Sequence, residues 1–252
     1  MKKALASVRT GNPLSFEDKV FSLLDRTEYR IIRTPEDFEE IGRLRKRAYD
    51  KRPVYAHKFD QPLIDDVDHD PASRTYGIYI DEVLTASIRL HVLTPDHRVS
   101  PALDMFPSHL NPLLDQGLRF IDPSRFIVDL ERARDLPGLP HITLRPAVMA
   151  TRYFNADYCL SCVKREHASF YRRTFRATAV AGPIRHPEMM VDAVLFASTR
   201  ASFADICDRY PFYSYMQQEA ELLFGKPKAD EPWPLTVLPT ARMALRRNSI
   251  AA

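Results

Sequence analysis

Between residues 28 and 198 the apolar pattern switches back and forth between a period of two and a period of about 3.6, and that alternation limits the fold more than any other feature. Glu28–Arg33 (EYRIIR) alternates as a strand does. Thr34-Pro35-Glu36-Asp37 then supplies a cap, a first-turn proline and two acids at the positive end of the dipole. This predicts a helix to about Asp50, with Phe38, Ile41, Leu44, Ala48 and Tyr49 inward. Tyr76–Ile80 and Val83–Leu93, joined at Asp81-Glu82, predict a hairpin. Arg125–Leu130, Tyr158–Val163 and Met189–Ala197 predict further strands, with helices over Thr143–Phe154 and Arg165–Phe175. Pro146 would fall in the first turn of its helix, where a missing N–H matters little. Strands interleaved with helices imply a helix-covered sheet, and the early hairpin makes that sheet mixed: an α/β (α+β) fold.

Residues 1–27 read as an N-terminal helical extension, residues 28–198 as the core, and residues 199–252 as a C-terminal helical region, broken near Pro211, followed by a Pro-rich and then basic loose tail. Residues 51–75 make an Asp-rich loop of a length that points to function or disorder. The chain is 45% apolar, with a net charge of only +3 and mixed signs, which argues against a dedicated nucleic-acid binder. No run approaches the ~18 apolar residues of a membrane span. A cytoplasmic location is expected, and peripheral membrane contact stays open. Cys159, Cys162 and Cys207 are an odd set with no paired framework, so reduced thiols are expected. Cys159 and Cys162 lie within an apolar strand and have no His or Cys companions, so core packing is expected and no metal site.

Four stretches occur in order: SIRLHVLTP (87–95), DPSRF (122–126), TLR (143–145) and REHASFYRR (165–173). Together they resemble the long-chain N-acyl amino acid synthases, relatives of the acyl-homoserine-lactone synthases within the GNAT superfamily. That resemblance implies a GNAT-like acyltransferase fold, its mixed central sheet splayed between the fourth and fifth strands with helices on both faces. It implies a phosphopantetheine-linked acyl thioester as donor substrate, no bound cofactor, acyl carrier protein as partner, and a small amine or amino acid as acceptor. Two departures stand out. The region of the usual Gly-rich pyrophosphate loop is Arg134–Pro140 (RDLPGLP), with one Gly and two Pro, a poor phosphate cradle that suits a donor without a nucleotide. The lactone synthases carry a Trp after the first helix, whereas the lone Trp here is Trp233.

Aminolysis of a thioester needs a proton acceptor for the amine and a proton donor for the departing thiolate. By the resemblance, Asp122 is the candidate acceptor and Tyr171 the candidate donor. The rival readings are an Asp122–Arg125 pair that orders the strand entry, and a Tyr171 that only packs on the sheet. Arg89 and Arg125 fall in inner strands, where an unpaired cation is very costly, so they must meet carboxylates. Asp65, Asp66, Asp68 and Asp70 are the available partners, with Asp65 and Asp68 expected at the acceptor site. An Arg left free would hold an amino-acid carboxylate by two parallel hydrogen bonds, and the rival reading is a purely structural ion-pair cluster. Arg145, Glu166 and His167 are further motif positions expected at the substrate site, with local pairing as the rival reading for the last two. Arg45 and Tyr49, beside Arg43 and Arg47 on the first helix, resemble the donor-side helix of the lactone synthases. Arg172 and Arg173, beside Arg176, add a second basic cluster. Such Arg suit docking of an acidic carrier, with a solvated charged helix face as the rival reading. Leu103, Phe106, Leu110, Met149, Phe154 and Phe196 are among the apolar residues expected along an acyl tunnel.

Three other functions fit less of this pattern: a lactone-type synthase, an enzyme taking the acyl group from coenzyme A, and a non-catalytic carrier-protein or lipid-binding module. The last predicts donor binding without turnover.

Overall fold

A computed structural model describes residues 14–51, 63–185, 191–226 and 236–251. The chain begins with α1 (Phe16–Leu24), β1 (Thr27–Ile31) and α2 (Pro35–Asp50). A 3₁₀ turn at Asp66–His69 leads into the hairpin β2 (Ser73–Ile80) and β3 (Val83–Leu93). Two short helices, α3 (Pro101–Met105) and α4 (Pro107–Asp115), precede β4 (Phe120–Val128). Then come α5 (Leu139–Tyr153), β5 (Tyr158–Lys164), α6 (Ala168–Phe175), β6 (Thr178–Arg185) and β7 (Asp192–Thr199). The C-terminal part adds α7 (Ser202–Arg209), α8 (Gln217–Phe224), β8 (Thr236–Val237) and α9 (Ala241–Ala251).

The described strands form one mixed sheet, ordered β6-β7-β5-β4-β3-β2-β1-β8. Only the β4–β5 pair is parallel among them. The hairpin turns where expected, Asp81 and Glu82 both taking positive φ, which matches the right-handed twist of the strands. α2 starts as its sequence predicts: Thr34 Oγ1 accepts from the Asp37 N–H, and the Asp37 carboxylate accepts from the Thr34 N–H. One face of the sheet is covered by α1, α5, α6, α7 and α8, the other by α2 and the α3–α4 pair.

Three expectations need correction. The helix expected over Thr143–Phe154 begins at Leu139, so Pro146 lies in its interior rather than its first turn. Pro146 offers no N–H to the Ile142 carbonyl four residues back. The buried Tyr29 hydroxyl donates to that carbonyl instead, at 2.9 Å. The C-terminal segment is no loose tail where it is described: β8 pairs with β1, and Val237 and Ala241 are buried in the main core. An unforeseen strand, β6, pairs with β7 along an almost wholly exposed segment. Met189 and Trp233 lie outside the described residues. Among those described, no helix is long and apolar enough to cross a membrane.

Candidate active site

β4 and β5 pair only through Phe120–Tyr158 and Ile121–Cys159. Beyond that point the strands part, β4 staying on β3 and β5 on β7. Pro123 sits where β4 becomes an edge, one of the few strand positions that tolerate a residue without N–H. A bulge follows. Ser87 pairs with Ile127 and Arg89 with Ser124, so Arg125 and Phe126 together stand opposite Ile88. Arg125 takes φ +48, a left-handed conformation that non-glycine residues seldom hold unless their surroundings fix it.

On the α5 side the parted strands border a narrow cavity of about 10 Å³. Pro123, Leu144, Ala147, Val148, Cys159, Ser161, Tyr171, Phe175, Ser198 and Phe203 line it. Tyr171 is buried, and burial raises its hydroxyl pKa above the usual phenol range. Cys159 is pushed up to about 12, chiefly by burial, so it stays a thiol. Of the residues expected along an acyl tunnel, Leu103, Phe106 and Leu110 belong to the α3–α4 pair and pack on the opposite face. Met149, Phe154 and Phe196 join the main core without lining this cavity.

The α2 side of the sheet is polar at the same level. Strand register sets Thr75, Arg89 and Ser124 side by side, and Ser73, His91 and Asp122 on the neighbouring rung. Arg89 Nε donates to Ser124 Oγ at 3.0 Å, and its Nη1 contacts Asp65 at 2.5 Å and Asp68 at 3.0 Å. Arg125 Nη2 donates to Asp65 Oδ2 at 2.5 Å. Asp68 also receives both terminal nitrogens of Arg45, at 2.7 and 2.9 Å, and the Thr75 hydroxyl. Arg89 and Arg125 thus meet loop carboxylates, as the cost of burying a lone guanidinium demands. Burial alone would raise the Asp68 carboxyl, yet hydrogen bonds and charge from Arg45 and Arg89 hold it well below the usual carboxylate range. Burial opposes ionisation of Asp65 too, and Arg89 and Arg125 outweigh it.

Asp122 is buried on this polar face, with Pro123 beside it facing the cavity. Its Oδ2 accepts from the Ala102 N–H in the first turn of α3, at 2.9 Å. Burial pushes its carboxyl up to about 6 against the pull of Ala102 and Ser100. Arg125 pairs with Asp65, not with Asp122. Asp122 and Tyr171 therefore lie on opposite faces of the sheet, on either side of the seam.

Several expected positions lie elsewhere. Arg45 and Tyr49, expected on a donor-docking surface, face inward: Arg45 is 0% exposed on Asp68, and the buried Tyr49 hydrogen-bonds Arg125. Arg145, expected at the substrate site, is buried against Glu219 and the carbonyls of Phe212 and Ser214, where it anchors the C-terminal segment. Glu166 and His167 are exposed and form a loose pair at 3.6 Å. Asp66 lies outside the Arg network, and Asp70 pairs with His97. Arg172 and Arg173 are exposed on α6, the helix that carries Tyr171. His91 and Ser73 had not been singled out, although S-x-R-x-H (87–91) in an apolar strand marks one polar face. Among the described residues, no group of three or more His, Cys, Asp or Glu is placed to hold a metal ion.

A family model described as N-acyl amino acid synthase FeeM matches residues 40–199, more than half of the chain. The chain belongs to this family. Within the FeeM family, the solved structure of FeeM, an N-acyl amino acid synthase from uncultured soil microbes, superposes with a TM-score of 0.60 at 16% identity, covering 74% of this chain and 98% of that one. The acyl-homoserine-lactone synthase LasI superposes at 0.51 with 14% identity, covering 82% of this chain and 98% of its own. Identities this low establish a shared fold, that of the GNAT acyltransferases, and nothing finer. Comparison with curated proteins gives no match. The FeeM-family chain is an N-acyltransferase, and its opened seam with polar groups on both sides is its candidate active site.

Proposed function

We propose that this enzyme moves a long-chain acyl group from the phosphopantetheine thioester of an acyl carrier protein to the amino group of a free amino acid. The observation that carries this reading is the parting of β4 and β5 between Asp122 on one face and Tyr171 on the other. The pantetheine arm lies along the strand edges freed by the parting, and the amino acid approaches from the polar side. The amine nitrogen attacks the thioester carbon, giving up a proton to Asp122 directly or through water. As the C–S bond breaks, the Tyr171 hydroxyl protonates the departing thiolate. Burial keeps the phenol protonated, the state a donor needs.

A carrier-protein donor is favoured over coenzyme A by what covers the start of α5. The first turn of α5, where a pyrophosphate would seek backbone N–H groups, packs against α1. A Cβ on Gly138 would stand 3.0 Å from Val20 Cγ2, and the Phe16 and His141 rings lie 5.3 Å apart. Arg172 and Arg173 on α6 offer an acidic carrier two exposed cations beside the helix that bears Tyr171. Such a donor belongs in the cytoplasm, as do the three free thiols.

The test is incubation of the purified protein with acyl carrier proteins of graded chain length, with the matching acyl-coenzyme A esters, and with a panel of amino acids or S-adenosylmethionine. Mass spectrometry should find an N-acyl amino acid from carrier-protein donors. Acyl-homoserine lactone as the product, or turnover with coenzyme A esters alone, would overturn the reading.

A further inference from the structure

Four buried side-chain polar atoms lack a hydrogen-bond partner among the described residues: Arg45 Nε, Ser73 Oγ, Ser87 Oγ and His91 Nδ1. All four belong to the one polar face beneath α2. Buried polar groups are paired almost without exception in folded proteins, so a cluster of orphans marks a place that expects a guest. Ser73 and His91 are cross-strand partners, and His91 is in turn the partner of Asp122.

A guanidinium only donates, so Ser124 Oγ accepts from Arg89 Nε. The hydroxyl keeps its hydrogen and a second lone pair for His91 Nε2, 3.0 Å away, so either ring tautomer pairs with it. Burial, with the charge of Arg89, lowers the imidazole pKa to about 3, so the ring is neutral at any working pH. His91 is 0% exposed, and its Nδ1 has no hydrogen-bond partner, next to a serine hydroxyl in the same state.

We propose that His91 carries its ring proton on Nδ1 and that the Ser73–His91 pair is the subsite for the acceptor's carboxylate, with Nδ1–H donating to one of its oxygens. This rests on the reading of the acceptor as an amino acid. On one side of His91 stands Asp122, the proposed acceptor of the amine's proton. Neighbouring side chains on a rung stand about 4.5–5.5 Å apart at Cβ, and an α-amino acid separates its amine and carboxylate by one carbon, so one molecule reaches both. On the adjoining rung, the network holds three guanidiniums, Arg45, Arg89 and Arg125, against two carboxylates, Asp65 and Asp68. The charges that act on His91 are mixed, Arg89 against Asp65, Asp68 and Asp70, which suits a zwitterionic amino acid rather than a simple anion.

Two substitutions separate this role from one exerted through Ser124. The amide of His91→Gln reaches the Nε2 position and keeps a partner for Ser124, but has nothing at Nδ1. The amide of His91→Asn places an N–H near Nδ1 and abandons Ser124. The proposal expects the acceptor KM to rise roughly tenfold or more in His91→Gln, as for loss of a hydrogen bond to a charged group, and to stay near wild type in His91→Asn. The preference for an amino acid over its decarboxylated amine should shrink in His91→Gln alone. The reverse order would show that His91 acts only by holding Ser124. Unchanged KM in both would leave a bound water as the guest. Each of these results overturns the proposal. A third measurement needs neither variant nor turnover. In protein carrying ¹⁵N-labelled histidine, the His91 Nδ1–H resonance should move on addition of amino acid and not of the decarboxylated amine; an unmoved resonance overturns the subsite. If wild-type protein makes no N-acyl amino acid yet the resonance moves, the subsite stands and the proposed reaction falls.

Discussion

Asp122 joins two requirements that pull against each other. It caps the first turn of α3, a task for a carboxylate, inside an environment that penalises charge. Because its pKa is raised in the fold to about 6, the protonated form is the one the fold favours. Its contribution to stability is therefore complete below the ordinary carboxylate range near ~4 and is lost as pH rises through about 6. Asp68 has the opposite sign: its contribution holds above ~4 and fades as pH falls through its depressed value. For activity, the ionised fraction of Asp122 is what counts. A pH profile of kcat/KM should climb through about 6, and Asp122→Asn should erase that limb and lower kcat by ~10²–10⁴-fold while donor binding persists. An unaltered limb in Asp122→Asn would assign it to another group. At this scale the sequence was partly legible. Arg89 and Arg125 were bound to meet carboxylates, because inner strands admit no lone cation. Arg45 misled because its charge suggested a surface, although its spacing from Ile41 and Tyr49 places it on the inner stripe of α2. Arg145 misled because its partner Glu219 lies 74 residues away, beyond any local pattern.

The elements were readable wherever one side of the pattern was apolar. β6 escaped because its residues are exposed nearly throughout and Pro183 speaks against a strand. The parting of β4 from β5 followed from resemblance, and Pro123 was its one local sign. The early start of α5 stayed hidden because Pro146 reads as a helix opening, and its compensation comes from Tyr29, which is 113 residues from Ile142. That exchange is open to a double-mutant cycle. Tyr29→Phe removes the donor to the Ile142 carbonyl and should cost about 1–3 kcal/mol in urea unfolding. In a Pro146→Ala background the helix supplies its own N–H to that carbonyl, and the cost of Tyr29→Phe should shrink. Additive effects would show that the two residues do not share the carbonyl.

As a whole, the molecule extends beyond its family-matched part in an obligatory way. The family match ends at residue 199, yet Arg145 finds its partners at Phe212, Ser214 and Glu219, and the Tyr76 hydroxyl donates to the Leu223 carbonyl at 3.0 Å. Phe203 closes part of the cavity, and β8 extends the sheet beside β1. A chain ending at residue 200 loses the Glu219, Phe212 and Ser214 partners of Arg145 and uncovers the core that Phe203, Phe212 and Phe224 help to fill, at about 1.5–3 kcal/mol for each such side chain. Against a typical total of ~5–15 kcal/mol, such a chain should show no cooperative unfolding transition by circular dichroism. A cooperative melt like that of the full chain would refute this. The borders drawn from sequence at residues 27 and 198 mark changes of pattern, and the core runs through both of them.

The seam between β4 and β5 also governs how a finished molecule departs. On the proposed reading, the new amide is formed in the gap between the strands with its amino-acid head on the polar face, like thread drawn halfway through cloth. It cannot slip out sideways past the closed rungs at Phe120 and Ile121, so it withdraws lengthwise. Each added methylene then lengthens the path out as well as strengthening the hold, and the chain that suits capture best is the slowest to be let go.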